Sequence, residues 1–232
     1  MRMGRVLRPA LLATVPVMTG YLVLGFGFGL MLGDAGGNVW LALAMSGFIY
    51  AGSMQYVTID LLTGGTSLVS AALMTLMVNA RHLFYGVSML ERYRDMGAAK
   101  PYLIFALTDE TYSLVCQEQL PVPPEQRRMY CLPVSLFDHL WWVMGTLLGA
   151  AAGAVIAIST EGVDFALTAL FVTVMVEQWL TAEDRVPAMT GCVASLLCLI
   201  LFGAADFLIP AMLLITLMLC LYTGGRRVKA HE

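Results

Sequence analysis

Residues 62–86 read LTGGTSLVSAALMTLMVNARHLFYG. No charged side chain lies between Asp60 and Arg81, and the apolar tone resumes at once with LFYG. A run of this length matches the ~20 apolar residues that an α-helix needs to cross hydrocarbon. An arginine and a histidine set inside such a run, rather than in a loop beside it, are the second feature to explain. Working outward, the rest of the chain has the same character. Of its 232 residues, 59% are hydrophobic and 12% charged, and the mean hydropathy is +0.78. Soluble domains carry about 25% charged residues. Lipid is therefore the solvent, and only helices or closed barrels satisfy the backbone there. Barrel strands alternate apolar and polar residues. The runs here are continuous, so the predicted fold is all-α: a polytopic membrane protein forming a single integral membrane domain over residues 1–232.

Eight apolar segments are expected at Pro9–Leu32, Val39–Leu62, Ser67–Ser88, Pro101–Cys116, Leu132–Ile158, Val163–Leu180, Val186–Ala205 and Phe207–Tyr222. Pro101–Cys116 is short and the last two share little length, which gives seven or eight crossings with room for a broken or re-entrant piece. The basic start (Arg2, Arg5, Arg8) leads into an apolar stretch too long for a signal peptide and reads as the first membrane helix. Those arginines, with Arg226, Arg227 and Lys229, predict cytoplasmic N- and C-termini, leaving Asp34 and the Glu161–Asp164 turn outside. The loops Glu91–Lys100 and Gln117–Tyr130 both look cytoplasmic, which conflicts with a full crossing between them and is resolved if Pro101–Cys116 is shallow or re-entrant. The net charge of −3 gives no nucleic-acid signature. Cys116, Cys131, Cys192, Cys198 and Cys220 form no CxxC pair, and no metal or cofactor is expected. A shift of 123 positions lays Val39–Gly86 over Gly162–Ile209, with Gln55 on Gln178 and Asp60 on Glu183, a weak internal repeat of the sort found in transporters.

Polar groups inside apolar segments are functional candidates, because a charge near the bilayer centre costs about 2.5–3.5 kcal/mol or more. In YAGSMQYVTID, Tyr50–Asp60, small residues and hydrogen-bonding groups suit either a helix that breaks to present backbone groups to a ligand or a close helix contact with polar glue. Asn79, Arg81 and His82 offer a guanidinium fork for a carboxylate and an imidazole that titrates near neutrality; the alternative is an interfacial arginine reaching for headgroups. In FALTDETYS, Phe105–Ser113, Asp109 and Glu110 either balance Arg81 or cap a helix. Asp138 and His139 stand beside Trp141 and Trp142, a composition that favours an interface belt, as it does for Glu177 and Gln178 beside Trp179. Gly25, Gly29 and Gly33 form overlapping GxxxG patterns, a close-packing face.

Together, GFGFG (residues 25–29) after Pro16, YAGSMQY (50–56), NARHLFYG (79–86) and TDETY (108–112) resemble the AzlC family, in an order and spacing that cover most of the chain. The resemblance implies the large subunit of an exporter of valine, leucine, isoleucine and sometimes methionine. It also implies a bacterial inner membrane and a small AzlD-type membrane subunit as partner. Two departures bear on specificity: family members carry an aspartate where Asn79 stands, and AGASQF where this chain has AGSMQY. An amino acid zwitterion needs a cation or helix N-terminus for its carboxylate, an acceptor for its ammonium and an apolar pocket. Tyr50, Ser53, Gln55, Asn79, Arg81, Phe84 and Asp109 are the expected substrate-binding residues, and His82, Asp109 and Glu110 the expected proton-coupling residues. A rival reading, an intramembrane serine protease, lacks the GxSxG elbow, since Ser53 sits in GSMQ. A channel or non-transporting subunit lacks repeated polar rings.

Overall fold

A computed structural model describes residues 4–117, 120–123, 126–155, 172, 175–176, 179–180 and 184–229. Within these, the side chains of Arg5, Ala80, Arg81, Leu83, Phe84, Arg128, 204–206, 208–209, 212 and 223–229 lie outside the description. The described elements are helical: α1 (Gly4–Asp34), α2 (Val39–Phe48), α3 (Gly52–Thr63), α4 (Leu68–Met89), a 3-10 turn (Gly97–Ala99), α5 (Lys100–Phe105), α6 (Asp109–Val115), α7 (Arg127–Val155), α8 (Val186–Asp206) and α9 (Leu208–Lys229). Stretches within α1, α7 and α8 (Val6–Asp34, Met129–Val155 and Val186–Gly203) are long and apolar enough to cross a membrane. The chain is thus an all-α polytopic membrane protein. Two compact units are present, one of Met1–Leu68 with Val78–Leu167, the other of Val69–Met77 with Thr168–Glu232.

The first unit is organised on α1 and α7, which pack through glycines. A Cβ on Gly25 would fall 2.8 Å from the Trp142 carbonyl oxygen, and one on Gly145 the same distance from that of Leu22. Gly29 against Thr146 and Gly149 against Phe26 are tighter still. Glycine at four positions spaced by four lets two backbones touch, which is how apolar helices associate without a hydrophobic drive. Gly33 meets nothing within 4 Å, so the close-packing face runs over Gly25 and Gly29 only.

Two of the predicted segments are broken. Val39–Leu62 divides at Ile49–Ala51, where Tyr50 takes a left-handed conformation (φ 44°). α2 starts beside Leu32 at the C-terminal end of α1 and descends to Tyr50, whose ring meets Tyr21 at 6.5 Å. α3 then doubles back: Tyr56 donates to the Leu24 carbonyl at 2.5 Å and its ring meets Phe28. Pro101–Cys116 divides at Ala106–Thr108 into α5 and α6, of six and seven residues. At 1.5 Å per residue neither arm covers more than about 11 Å, far short of a bilayer. Leu103 and Val115 lie in one cluster with Val6, Met89, Tyr93 and Tyr130, and Arg92 donates to the carbonyls of Val115 and Gln117. The piece therefore enters and leaves at the same end of the unit, an arrangement that removes the charge conflict between its flanking loops. The fold holds two hairpins entering from opposite ends of α1, their tips at Tyr50 and Thr108.

In the second unit α8 and α9 form an antiparallel pair, closed where Tyr222 donates to Asp184 at 2.7 Å. The expected Glu161–Asp164 turn, most of Val163–Leu180, and Glu177, Gln178 and Glu183 lie outside the described residues, and with them most of the first part (162–183) of the repeat's second half.

Candidate functional site

The two tips meet on the faces of α1 and α7, and polar side chains collect there. Thr108 caps α6, its hydroxyl accepting from Thr111 N at 3.2 Å, and Asp109 and Glu110 occupy the first turn, where helix dipole and carboxylate attract. From Thr108 a chain of contacts runs both ways. Tyr21 Oη lies 2.7 Å from Thr108 Oγ1 and donates to Glu110 Oε2 at 2.6 Å. Thr108 Oγ1 lies 3.1 Å from Thr111 Oγ1, which donates to Asp138 Oδ2 at 2.8 Å. Asp138 is 0% exposed, and its Oδ1 has no hydrogen-bond partner among the described residues. A buried acceptor left unmade costs about 1–3 kcal/mol.

His139 knits the hairpins to α7. Its Nε2 sits 3.0 Å from the Ser46 carbonyl, which can only accept, so Nε2 carries the proton. In the neutral ring Nδ1 then accepts from the Tyr102 hydroxyl, 3.0 Å away. The same imidazole stacks on the Tyr50 ring at 4.2 Å and so holds the strained tip residue. A second network fixes the first hairpin: Trp142 Nε1 donates to Gln55 Oε1 (2.9 Å), Gln55 Nε2 to Ser46 Oγ (3.1 Å), and Ser46 Oγ to Thr146 Oγ1 (2.9 Å). Ser46 is on α2 and Gln55 on α3, so one run of bonds ties both arms to α7. At the start of α3, Ala51 supplies no side-chain cap, and Gly52 lets the Trp142 ring approach (a Cβ would sit 3.2 Å from it). The junction thus offers an uncapped helix N-terminus, the C-terminal carbonyls of α2 and α5, hydroxyls and a carboxyl group, sealed by Tyr21, Tyr50 and Trp142.

The structure brings Tyr50, Ser53, Gln55, Asp109 and Glu110 to this junction or its immediate flank. Asn79 and His82 lie on α4: the Asn79 carbonyl is 3.2 Å from His82 Nδ1, and His82 lines a groove of about 430 Å³ with Tyr93, Lys100, Ile104 and Leu107, the last a residue of the second tip. α4 is linked to α6 where Tyr85 stacks on Tyr112 at 4.6 Å. The Arg81 and Phe84 side chains, and with them the expected Arg81–Asp109 pairing, lie outside the described residues.

One expectation is overturned. Asp138, His139 and Trp142 do not form an interface belt: Asp138 is 0% and Trp142 3% exposed. The segment was expected to begin at Leu132, placing Asp138 near its end. The helix begins at Arg127, and eleven residues at 1.5 Å each carry Asp138 about 16 Å inward. The available signal was that Asp138 is the one acidic residue between Arg128 and Glu161. Tyr21, Thr108 and Thr111 gave none, being ordinary residues of apolar helices.

The AzlC protein family model matches residues 16–156, which contain both hairpins and the junction. The chain belongs to the AzlC family. It is 41% identical, over 90% of its length and 82% of the relative's, to the branched-chain amino acid transport protein AzlC of Bacillus subtilis. A membrane protein of Helicobacter pylori is 37% identical over 90% of the chain and 91% of its own length. The inner membrane protein YgaZ of Escherichia coli is 27% identical over 87% and 82%. No solved structure matches.

Proposed function

We propose that this AzlC-family chain is the large subunit of a secondary transporter, not an enzyme, that exports valine, leucine, isoleucine and sometimes methionine from the bacterial cytoplasm. The observation that carries the reading is the meeting of two oppositely entering hairpins at a buried polar junction, an arrangement that suits alternating access around a fixed central site. In this reading the substrate carboxylate is held at the start of α3, by the backbone of Gly52 and Ser53, with Arg81 as a further cation. Asp109 and the last carbonyls of α5 accept the ammonium. Tyr50, Phe84 and Asn79 shape the side-chain pocket, and Gln55 keeps the hairpin in form. Export is proton-coupled, with His82, Asp109 and Glu110 the candidate groups on the path. The name of the Bacillus subtilis relative supports the substrate class.

The chain works in the inner membrane with a small AzlD-type subunit. In this reading both termini face the cytoplasm: Arg2, Arg5 and Arg8 open the chain, Arg226, Arg227 and Lys229 follow its last apolar stretch, and Asp34 ends α1 on the far side.

The test is accumulation. Cells making the chain and its small partner, fed branched-chain dipeptides, hold less internal valine and leucine and release more than cells lacking the chain. Arg81→Ala and Asp109→Ala lose the difference. Equal internal pools with and without the chain would sink the exporter reading and leave a scaffold.

A further inference from the structure

The contacts linking Glu110 to Asp138 carry more information than their lengths. Four links join five groups: Glu110 to Tyr21, Tyr21 to Thr108, Thr108 to Thr111, and Thr111 to Asp138. All four lie between 2.6 and 3.1 Å, and each needs a proton between its two oxygens. The three hydroxyls supply three protons. Two ionised carboxylates supply none, so one short contact would then be oxygen against oxygen with nothing between them. The chain closes when one of the two carboxyl groups is protonated.

The geometry points to a single proton shared between Glu110 and Asp138 and relayed through the hydroxyls of Tyr21, Thr108 and Thr111. With the proton on Glu110, every hydroxyl donates toward Asp138. With it on Asp138, every hydroxyl donates toward Glu110. Passing from one state to the other breaks four O–H bonds and forms four. Each hydroxyl gives up one proton and takes one, one carboxylic acid becomes a carboxylate and the other the reverse, and no other reactant is needed. The two ends differ in access: Glu110 is half-buried, whereas Asp138 is fully buried. The titratable groups facing Asp138 are Tyr50 at the first tip, Tyr102 on α5, Glu110 on α6 and Tyr130 on α7. No lysine or arginine ion pair to either acid is present among the described residues.

Three of the five groups, Thr108, Glu110 and Thr111, belong to the second hairpin, and two, Tyr21 and Asp138, to α1 and α7. Movement of the hairpin against those helices makes and breaks the relay. This assigns Asp138 as the buried proton carrier of the transporter and rests on the transport reading above.

The experiment uses the full chain with its small partner, purified and reconstituted. Infrared difference spectra against pH read the carboxylic acid stretch without reference to transport. The wild type shows one protonated carboxyl at neutral pH, and Asp138→Asn and Glu110→Gln each change that band. Absence of the band, or a band unaltered by Asp138→Asn, overturns the shared proton. In vesicles, Thr111→Val cuts pH-gradient-driven leucine flux by about tenfold or more while gradient-free leucine counterflow stays within about threefold, and Thr111→Ser restores the flux. Gradient-driven flux unchanged in Thr111→Val, or lost in equal measure with counterflow, overturns the relay. A wild type with the band but without leucine counterflow refutes the transport reading and leaves the shared proton standing.

Discussion

Trp142 Nε1 donates to Gln55 Oε1 at 2.9 Å, across 87 residues of chain, with both side chains 3% exposed or less. This bond is the clasp that fastens the first hairpin to α7. Gln55→Leu keeps the shape but strands a buried indole N–H, so stability falls by about 1–3 kcal/mol. In thermal unfolding in detergent, adding Trp142→Phe to Gln55→Leu costs less than the two single losses summed, because no polar group is then left unpaired. Strict additivity would mean that the bond contributes nothing.

How far this clasp was legible beforehand follows from the physics of each signal. YAGSMQY suits either a break or a close contact with polar glue, and both are there: the break at Tyr50 and the Gln55 bonds to α7. TDETY is open to a helix start, with Asp109 and Glu110 as its acids, and they do occupy the first turn of α6, but the cap itself is Thr108. The fold-back of 101–116 at Ala106–Thr108 agrees with the loop charge, since a full crossing would set two basic loops on opposite sides of the membrane. Asp138 reads as an end residue because the apolar run starts at Leu132, whereas the helix begins five residues earlier, at Arg127. The hydroxyl chain from Tyr21 to Thr111 was illegible in principle: it depends on which faces of α1, α6 and α7 turn together, and nothing local in the sequence encodes that.

The α1–α7 contact gives a paired prediction. Gly29→Leu and Gly149→Leu force two touching backbones apart and cost more than the about 1–3 kcal/mol usual for overpacking. Gly33→Leu, with nothing within 4 Å, leaves expression and unfolding temperature unchanged. Equal tolerance at Gly29 and Gly33 would mean that the helices do not meet at these glycines.

Tyr50 offers a test of backbone strain. Its φ of 44° costs a non-glycine residue about 1–2 kcal/mol. Both Tyr50→Gly and Tyr50→Ala lose the stack on His139, but alanine retains the strain. Tyr50→Ala therefore unfolds more easily than Tyr50→Gly by about 1 kcal/mol. The reverse order would show that the tip does not require the left-handed conformation.

The opposed hairpins predict which face each loop meets. In a background without the five native cysteines, single cysteines at Arg94 and Gln117 react with an impermeant maleimide from one side of the membrane. Cysteines at Gly36 and Gly65 react from the other. Opposite sides for Arg94 and Gln117 would mean that residues 101–116 cross in full.

The claim on which the account turns is that the hairpin tips enclose an amino acid site, and substrate protection at the start of α3 tests it most directly. Ser53→Cys, in membranes holding the chain and its small partner, is labelled more slowly when leucine is present at saturation, and glutamate has no such effect. Labelling at one rate with leucine, with glutamate and with neither would contradict a site at the junction.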